Sequence, residues 1–416
     1  MPPVQAQSLQ NKPSRFFSQA QIALILLLSI NLLNYVDRQI LAAVEKPIGD
    51  EYHVTTWATG WLSSAFLFAY LFFSPLFGFL ADRMRRWAII GFGVIVWSLA
   101  SGGTGAVHTF AMLVVMRLLI GIGEAAYGPV APTLIADMYP IERRGNVLAW
   151  FYAAIPVGSA LGYIVGGLMH AHWHAAFYVT LPPGILLGVW CLMMREPPRD
   201  RSIALHRPRL KDYLQLLKIK SYSINTAAMT AMTFALGSIA YFMTRYLQEV
   251  RHLDPKTAAP IFGGVAAAAG LFGTLAGGIF GDRLRARFSG SYFFVSAIGM
   301  LLGFPLVLLM LVIPFPACWL VIFAAVFCLF LNTGPSNTVI ANVIPANMRA
   351  TAFAINILFI HLLGDAISPP LIGRISEHWG LSTAFAFDSL AILIGAILWF
   401  IGIPFLHSDT MAANPV

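Results

Sequence analysis

Charge is scarce in this sequence. Only 11% of its 416 residues are Asp, Glu, Lys or Arg, 58% are hydrophobic, and the mean hydropathy is +0.75. A soluble globule of this length needs a wettable surface that so few ionic groups cannot supply, so a large soluble enzyme is a poor fit. Cysteine is scarce too. Cys191, Cys318 and Cys328 all fall in apolar stretches, which argues against a disulfide framework and a zinc site. No Asn-x-Ser/Thr sequon occurs, which favours a bacterial membrane over a glycosylated surface protein. There is no G-x-x-x-x-G-K-[ST] loop, which disfavours ATP-driven transport.

Long apolar runs are what the chain has instead. Twelve, most near the ~20 residues that cross a hydrocarbon core, fall at 19–46, 57–82, 87–107, 110–139, 145–170, 174–194, 221–248, 257–282, 288–312, 316–343, 349–374 and 382–406. The fold expected is an all-α membrane protein with twelve transmembrane helices. The first run is too long and too charged for a cleaved signal, carrying Asp37 and Arg38, and is expected to stay.

The net charge of +8 orients the chain and does not call for nucleic acid. With both termini in the cytoplasm, nineteen of the 26 Lys and Arg residues lie on the inner side and five on the outer. The expected location is a bacterial inner membrane, multi-pass, with the lipid bilayer as the main partner and the chain a monomer. The longest polar interval, REPPRDRSIALHRPRLKDYLQLLKIK, divides an N-terminal six-helix bundle (1–194) from a C-terminal one (221–416). Within this 195–220 linker, Leu210, Tyr213, Leu214 and Leu217 share a helical face, suiting either a short helix on the inner leaflet or an ordinary cytosolic connector.

The two halves echo each other. GFLADRMRR (78–86) returns as GIFGDRLRAR (278–287), placing Asp82 over Asp282 and Arg83 over Arg283. GPVAPTLIADMYPIERRG (128–145) returns as GPSNTVIANVIPANMRA (334–350). Two ordered echoes at nearly one spacing describe pseudo-symmetric parallel repeats. The 78–86 segment resembles the signature loop of the major facilitator superfamily. The resemblance implies that Asp82, Arg83, Arg86, Asp282 and Arg283 help to gate the cytoplasmic side, with Asp137 joining the contacts around Arg83 or Arg143. The alternative is that they only anchor topology.

NYVDR (34–38), RLLIGIGEAAYGPVAPTLIAD (117–137) and HLLGDAISPPLIG (361–373) are similar to the spinster branch of that superfamily. The branch exports lysophospholipids or sphingosine phosphate in animals, and its bacterial members are thought to be proton-driven.

Four charges lie well inside the N-terminal runs: Asp37, Arg38, Arg117 and Glu124. Ionic groups at mid-bilayer cost at least ~2.5–3.5 kcal/mol and usually face a cavity and pair. Arg117 and Glu124, seven residues apart, share a helix face about 10 Å apart along the axis. Antiparallel placement of the first and fourth runs brings Asp37 towards Arg117 and turns Arg38 to Glu124 or a bound anion. A purely structural network is the plainer reading. The functional one is competition: an anionic head group takes Arg38 or Arg117, a carboxylate loses its partner, and it gains a proton. Glu124 and Asp37 are then the proton-coupling residues, and Arg38 and Arg117 the substrate-binding ones.

Weaker signals remain. His361 and Asp365, one turn apart, are candidates for secondary coupling. Met229, Met232, Phe234, Tyr241, Phe242 and Met243 suit a lipid tail, but packing explains most of them better. GSALGYIVGG (158–167) reads as a close-packing face with Tyr163 where antiporters commonly carry proline, and HAHWH (170–174) as interfacial histidines. Asp388 has no assigned part. The expected function is proton-coupled secondary transport, by alternating access, of an amphipathic anion of lysolipid or sphingosine-phosphate type, with no cofactor besides protons. A proton-coupled symporter of a small organic anion is the alternative. A receptor or intramembrane enzyme is the reading from another class, and no nucleophile-base pair supports it.

Overall fold

Proline and glycine decide where the long apolar runs stay straight and where they break. The computed structural model describes residues 19–139, 141–197, 215–345 and 348–413, all helix, turn or irregular, with no strand among them. The N-terminal set comprises α1 (Gln19–Ala43), the short α2 (Glu45–Glu51), α3 (Thr56–Ala81), α4 (Arg86–Thr104), α5 (Phe110–Ala125), α6 (Ala131–Met138), α7 (Ile141–Leu168) and α8 (Trp173–Met193). The C-terminal set comprises α9 (Lys220–Glu249), α10 (Pro255–Arg285), α11 (Ser291–Met310), α12 (Cys318–Phe330), α13 (Thr333–Val343), α14 (Arg349–Ile360) and α15 (Ser368–Ala413), with a π-helical turn at His361–Asp365. Of the expected interfacial helix, only a helical turn at 215–218 lies within the described residues.

Among the described residues, ten helical stretches are long and apolar enough to cross a membrane. The run expected at 110–139 is not one straight helix. It breaks between α5 and α6 at Gly128 and Pro129, where proline has no N–H to give and disfavours helix in the residue before it. The last stretch covers 63 residues and folds back at Gly380, whose φ of 78° lies in the left-handed region. The expected runs at 349–374 and 382–406 are therefore joined by one residue's backbone freedom rather than by a polar loop.

Outward faces are greasy. Phe72, Met193 and Leu320 are 77, 77 and 76% exposed, tolerable against lipid and costly against water. Inward faces use small residues: Gly158, Gly162 and Gly166 of α7 lie against the backbone or Cβ atoms of α1 at Leu32, Val36 and Ala43, which explains that motif by packing.

The two sets meet at the end of the molecule that carries α2. There Tyr241 donates to the Thr59 carbonyl (2.7 Å), Tyr163 to that of Ala240 (2.9 Å), and the Trp57 N–H to Glu377 (2.8 Å). Glycine makes the seam tight. A Cβ on Gly60 would stand 2.7 Å from the Pro369 backbone, closer than real Cβ atoms come, whereas one on Gly78 would meet nothing. Gly60→Ala should therefore destabilise by about 1–3 kcal/mol through overpacking. Gly78→Ala, near the other end of the same helix, should leave the melting temperature in detergent unchanged or higher. Equal melting temperatures would refute the close seam.

Candidate functional site

The first and fourth expected spans bring their charges together because glycines let α5 approach its neighbours. Gly121 faces the Phe66 carbonyl of α3 and Gly123 the Gly93 carbonyl of α4, with no room for a Cβ at either place. Arg117 and Glu124 are thus drawn to the middle of the N-terminal set, 2% and 1% exposed. From α1, Arg38 points two N–H groups at one oxygen of Glu124, Nε at 2.8 Å and an Nη at 2.6 Å. The other oxygen, Oε1, is buried and makes no hydrogen bond.

The expected pairing of Asp37 with Arg117 does not form. Asp37 turns to α4, where Ser101 donates to it at 3.0 Å, and its second oxygen is buried without a hydrogen bond. Consecutive residues on a helix point about 100° apart, so Asp37 and Arg38 face different neighbours. Arg117 makes no ion pair among the described residues. Its Nε reaches only the Leu62 carbonyl, at a long 3.4 Å, though Asp37 and Glu124 lie within electrostatic reach.

Between the two arginines stands Phe66. Its ring centre is 4.6 Å from the Arg38 guanidinium carbon and 5.2 Å from that of Arg117. Tyr35 and Tyr70 complete a cage around Arg38 at 5.1 and 5.6 Å. Aromatic faces hold a guanidinium by its charge without committing its donors, so they steady the cation while leaving N–H groups for an anion.

His361 and Asp365 are in contact, the ring Nδ1 lying 3.0 and 3.1 Å from the two carboxylate oxygens. The π turn that carries them was not foreseen. It presents Asp365 within electrostatic reach of Tyr35, beside the Arg38 cage. Asp388 accepts a close hydrogen bond from Ser238, a contact between α15 and α9. Met229, Tyr241, Phe242 and Met243 are packed in the core, and an apolar groove of about 500 Å³ between α1 and α8 is lined by Leu32, Leu186 and Trp190 and by none of the four cluster charges. The histidines of the 170–174 turn lie at the α2 end, where His174 meets Glu51 at 3.2 Å.

The charges expected to gate are only partly assembled. Asp137 meets Arg86 at 2.6 Å, not Arg83 or Arg143 as expected, and Arg86 also holds Glu196 at 2.9 Å. Arg86 begins α4 and so reaches both the end of α6 and the chain leaving α8, whereas Arg143 is exposed and Arg83 lies over the Phe79 ring at 3.5 Å. In the second repeat, Asp282 accepts from the Tyr292 hydroxyl at 2.9 Å, while Arg283, like Asp82, is exposed. This network ties N-terminal helices to one another.

Two groups escaped the sequence reading. Glu45, at the start of α2, is fully buried and pairs with Arg245 of α9 at 2.9 Å, while Lys46 meets Glu249 at 3.3 Å. The separation of Glu45 and Arg245, 200 residues, equals the offset of the repeated Asp-Arg loops, and was the available signal.

A scan against family models matches residues 27–367 to the Major Facilitator Superfamily. Protein spinster homolog 1 of Xenopus tropicalis is 34% identical over 383 residues, covering 85% of this chain and 72% of that one. The chain belongs to the spinster branch of the Major Facilitator Superfamily. The human spinster homolog 1 is 33% identical, with 84% and 71% covered. Among solved structures, a bacterial homologue of the human lysosomal transporter Spinster, inward-facing and unoccupied, superposes with a TM-score of 0.87 at 20% identity, covering 96% and 99% of the two chains. The spinster-type chain is accordingly an integral membrane transporter and not an enzyme.

Glu196 supplies a pH test outside the membrane. Burial favours its neutral form, but hydrogen bonds from Arg86 and the Trp87 N–H outweigh this and hold the carboxyl below its ordinary 4.5. A depressed carboxyl contributes stability that is present above its unfolded pKa and lost as pH falls through the folded one. The wild-type melting temperature should therefore fall as the pH drops below about 4.5, and Glu196→Gln should flatten part of that fall. An identical slope in the variant would remove Glu196 from the account.

Proposed function

We propose that this spinster-type transporter moves an amphipathic anion of lysolipid or sphingosine-phosphate type, coupled to protons, by alternating access. The observation that carries the proposal is the unequal state of two arginines either side of Phe66, Arg117 buried and Arg38 partly exposed. Arg38 is held by Glu124, and among the described residues Arg117 has no carboxylate within ion-pair distance. A buried guanidinium without an anion is costly, and a phosphate or carboxylate head group relieves that cost through paired hydrogen bonds.

On this reading the head group enters past Arg38, the more exposed of the two, competes with Glu124 for it and reaches Arg117. Glu124 loses its two hydrogen bonds and, in a medium where an unpaired carboxylate is unfavourable, takes up a proton. Asp37, kept by Ser101 rather than by a cation, is the second proton site, and His361–Asp365 a secondary one in the C-terminal set. The polar contacts between the two helix sets gather at the α2 end. If the linker end is cytoplasmic, as the positive-inside pattern indicates, this is an inward-facing state in a bacterial inner membrane. Twelve crossings follow when α5–α6 and both arms of the last stretch are counted, and the segments before 195 and after 220 act as the two rocking bodies.

Proteoliposomes loaded with a lysophospholipid test this directly. Wild-type protein should couple lysolipid efflux to proton release from the vesicles, because head-group binding and protonation of Glu124 favour each other. Glu124→Gln should exchange lysolipid with no dependence on pH, and Arg117→Gln should weaken lysolipid binding by about tenfold or more, the worth of one charge-assisted hydrogen bond. Unaltered pH dependence in Glu124→Gln would end the coupling assignment. Proton flux driven by a small organic acid and indifferent to lysolipid would favour the small-anion symporter.

Phe66→Leu keeps the apolar volume and removes the ring face shared by both guanidiniums. It should lower lysolipid affinity several-fold, from a cation–π interaction of about 0.5–2 kcal/mol, while leaving folding intact. An unchanged affinity would reduce Phe66 to packing.

A further inference from the structure

The closed end holds a carboxylate that the proposed exchange at Glu124 does not use. Glu45 is 0% exposed, accepts from Arg245 at 2.9 Å and from the Thr59 hydroxyl, and leaves its second oxygen buried without a hydrogen bond. A fully buried carboxylate so poorly satisfied persists as an anion only while its cation remains in place. That cation belongs to the other helix set. The bond joins α2 to α9, across the seam that must part if the α2 end is ever to open.

The surroundings connect this carboxylate with solvent on one side and with the central cluster on the other. The Arg245 guanidinium also holds Glu249 at 3.0 Å, and Glu249 is 33% exposed on its side chain. Lys46 meets both Glu249 and Asp50, the latter 59% exposed, so charge passes outward in steps from the buried acid to open water. Inward, the hydroxyl of Tyr241 bonds to the carbonyl of Thr59, the residue whose hydroxyl serves Glu45, and lies within electrostatic reach of Arg245 and Arg117 as well as Glu45. His170 lies near Lys46, Asp50 and Asp254, and the other titratable groups at this end include Glu377, which accepts from the Trp57 N–H, and the His174–Glu51 pair.

We propose that Glu45 is a proton-operated latch: a proton arriving from the α2 face neutralises it, its hold on Arg245 fails, and the two helix sets separate at that end. Protonation removes one carboxylate of the two that hold Arg245, leaving the guanidinium to swing out to Glu249 in solvent. The loss is local and reversible. Tyr241 provides the link to the centre, because opening the seam withdraws its hydroxyl from Thr59 and changes the field at Arg117. The inference adds a third coupling carboxylate to the proton-coupled reading and rests on it for direction only, since the latch itself requires no substrate.

The test uses the full chain in lipid nanodiscs, with spin labels on cysteines replacing two exposed residues at the α2 end, His108 in the N-terminal set and Lys256 in the C-terminal set. The three native cysteines are buried and accept no label in the folded chain. The substrate-free wild type should show one short separation at neutral pH and a growing longer one as the pH falls. Glu45→Gln, neutral at every pH, should show the longer separation already at neutral pH. It should raise the open-to-closed ratio about tenfold, as expected for losing a charge-assisted bond, and should not respond further to acid. Arg245→Met breaks the same bond from the other side and should open the end in the same way, which keeps the test decisive if Glu45→Gln fails to fold. A Glu45→Gln distribution that stays short, or one that still lengthens with acid as the wild type does, overturns the latch. So does an Arg245→Met protein as closed as the wild type. Because the readout contains no lysolipid, its failure leaves the Arg117 and Glu124 reading to its own flux measurement, and failure of that measurement leaves the latch standing.

Discussion

Two N–H groups of Arg38 converge on one oxygen of Glu124, and the arrangement of the N-terminal helices can be understood from that bond. Neither ion is tolerable alone in a medium without water, and breaking such a pair by removing one partner costs about 3–5 kcal/mol. The pair therefore fixes the distance between α1 and α5. Each helix needs small residues to reach that distance: glycines of α7 accept α1 from behind, and Gly121 and Gly123 settle α5 onto α3 and α4. Stability alone does not require the pair, since apolar residues would hold these helices as well. What an ion pair adds is a bond that a proton or another anion is able to break.

The two arginines differ in a way that gives the site its direction. Arg38 is neutralised by Glu124 and caged by three rings, while Arg117 is nearly inaccessible and has only a carbonyl and the edge of the same cluster's field. A site with both arginines paired would repel nothing and attract nothing. A site with both unpaired would not fold at acceptable cost. One paired and one unpaired arginine, sharing Phe66, leave Arg117 without a hydrogen-bonded anion of its own among the described residues, and on the proposed reading a phosphate supplies one.

Much of this was legible in the sequence, and the parts that were not have physical causes. The twelve apolar runs, the Asp-Arg echoes and the four intramembrane charges could be read because lipid makes polarity rare and therefore informative. The pairing of Arg38 with Glu124 followed from helix period and antiparallel direction. Asp37 was assigned to the wrong neighbour because its angular position was weighed only against α5, while Ser101 of α4, a neutral donor, carried no comparable signal. Arg86 rather than Arg83 captures Asp137 because it sits inside the first turn of α4. That placement depends on where the loop ends and the helix begins, a boundary that apolar periodicity locates poorly. The π turn at His361–Asp365 was invisible for a similar reason, since one extra residue in a helical turn leaves composition unchanged.

The missed residues at the closed end point to a property of the repeat itself. Residues related by the 200-residue offset are equivalent in two halves that face each other across an axis, so pairs near that axis come into contact when one end closes. Asp82 and Asp282, or Arg83 and Arg283, are like charges at equivalent positions, and meeting there would repel. Glu45 and Arg245 are opposite charges at equivalent positions, and meeting there attracts. Among the described residues the polar contacts between the helix sets lie at the end with the unlike pair.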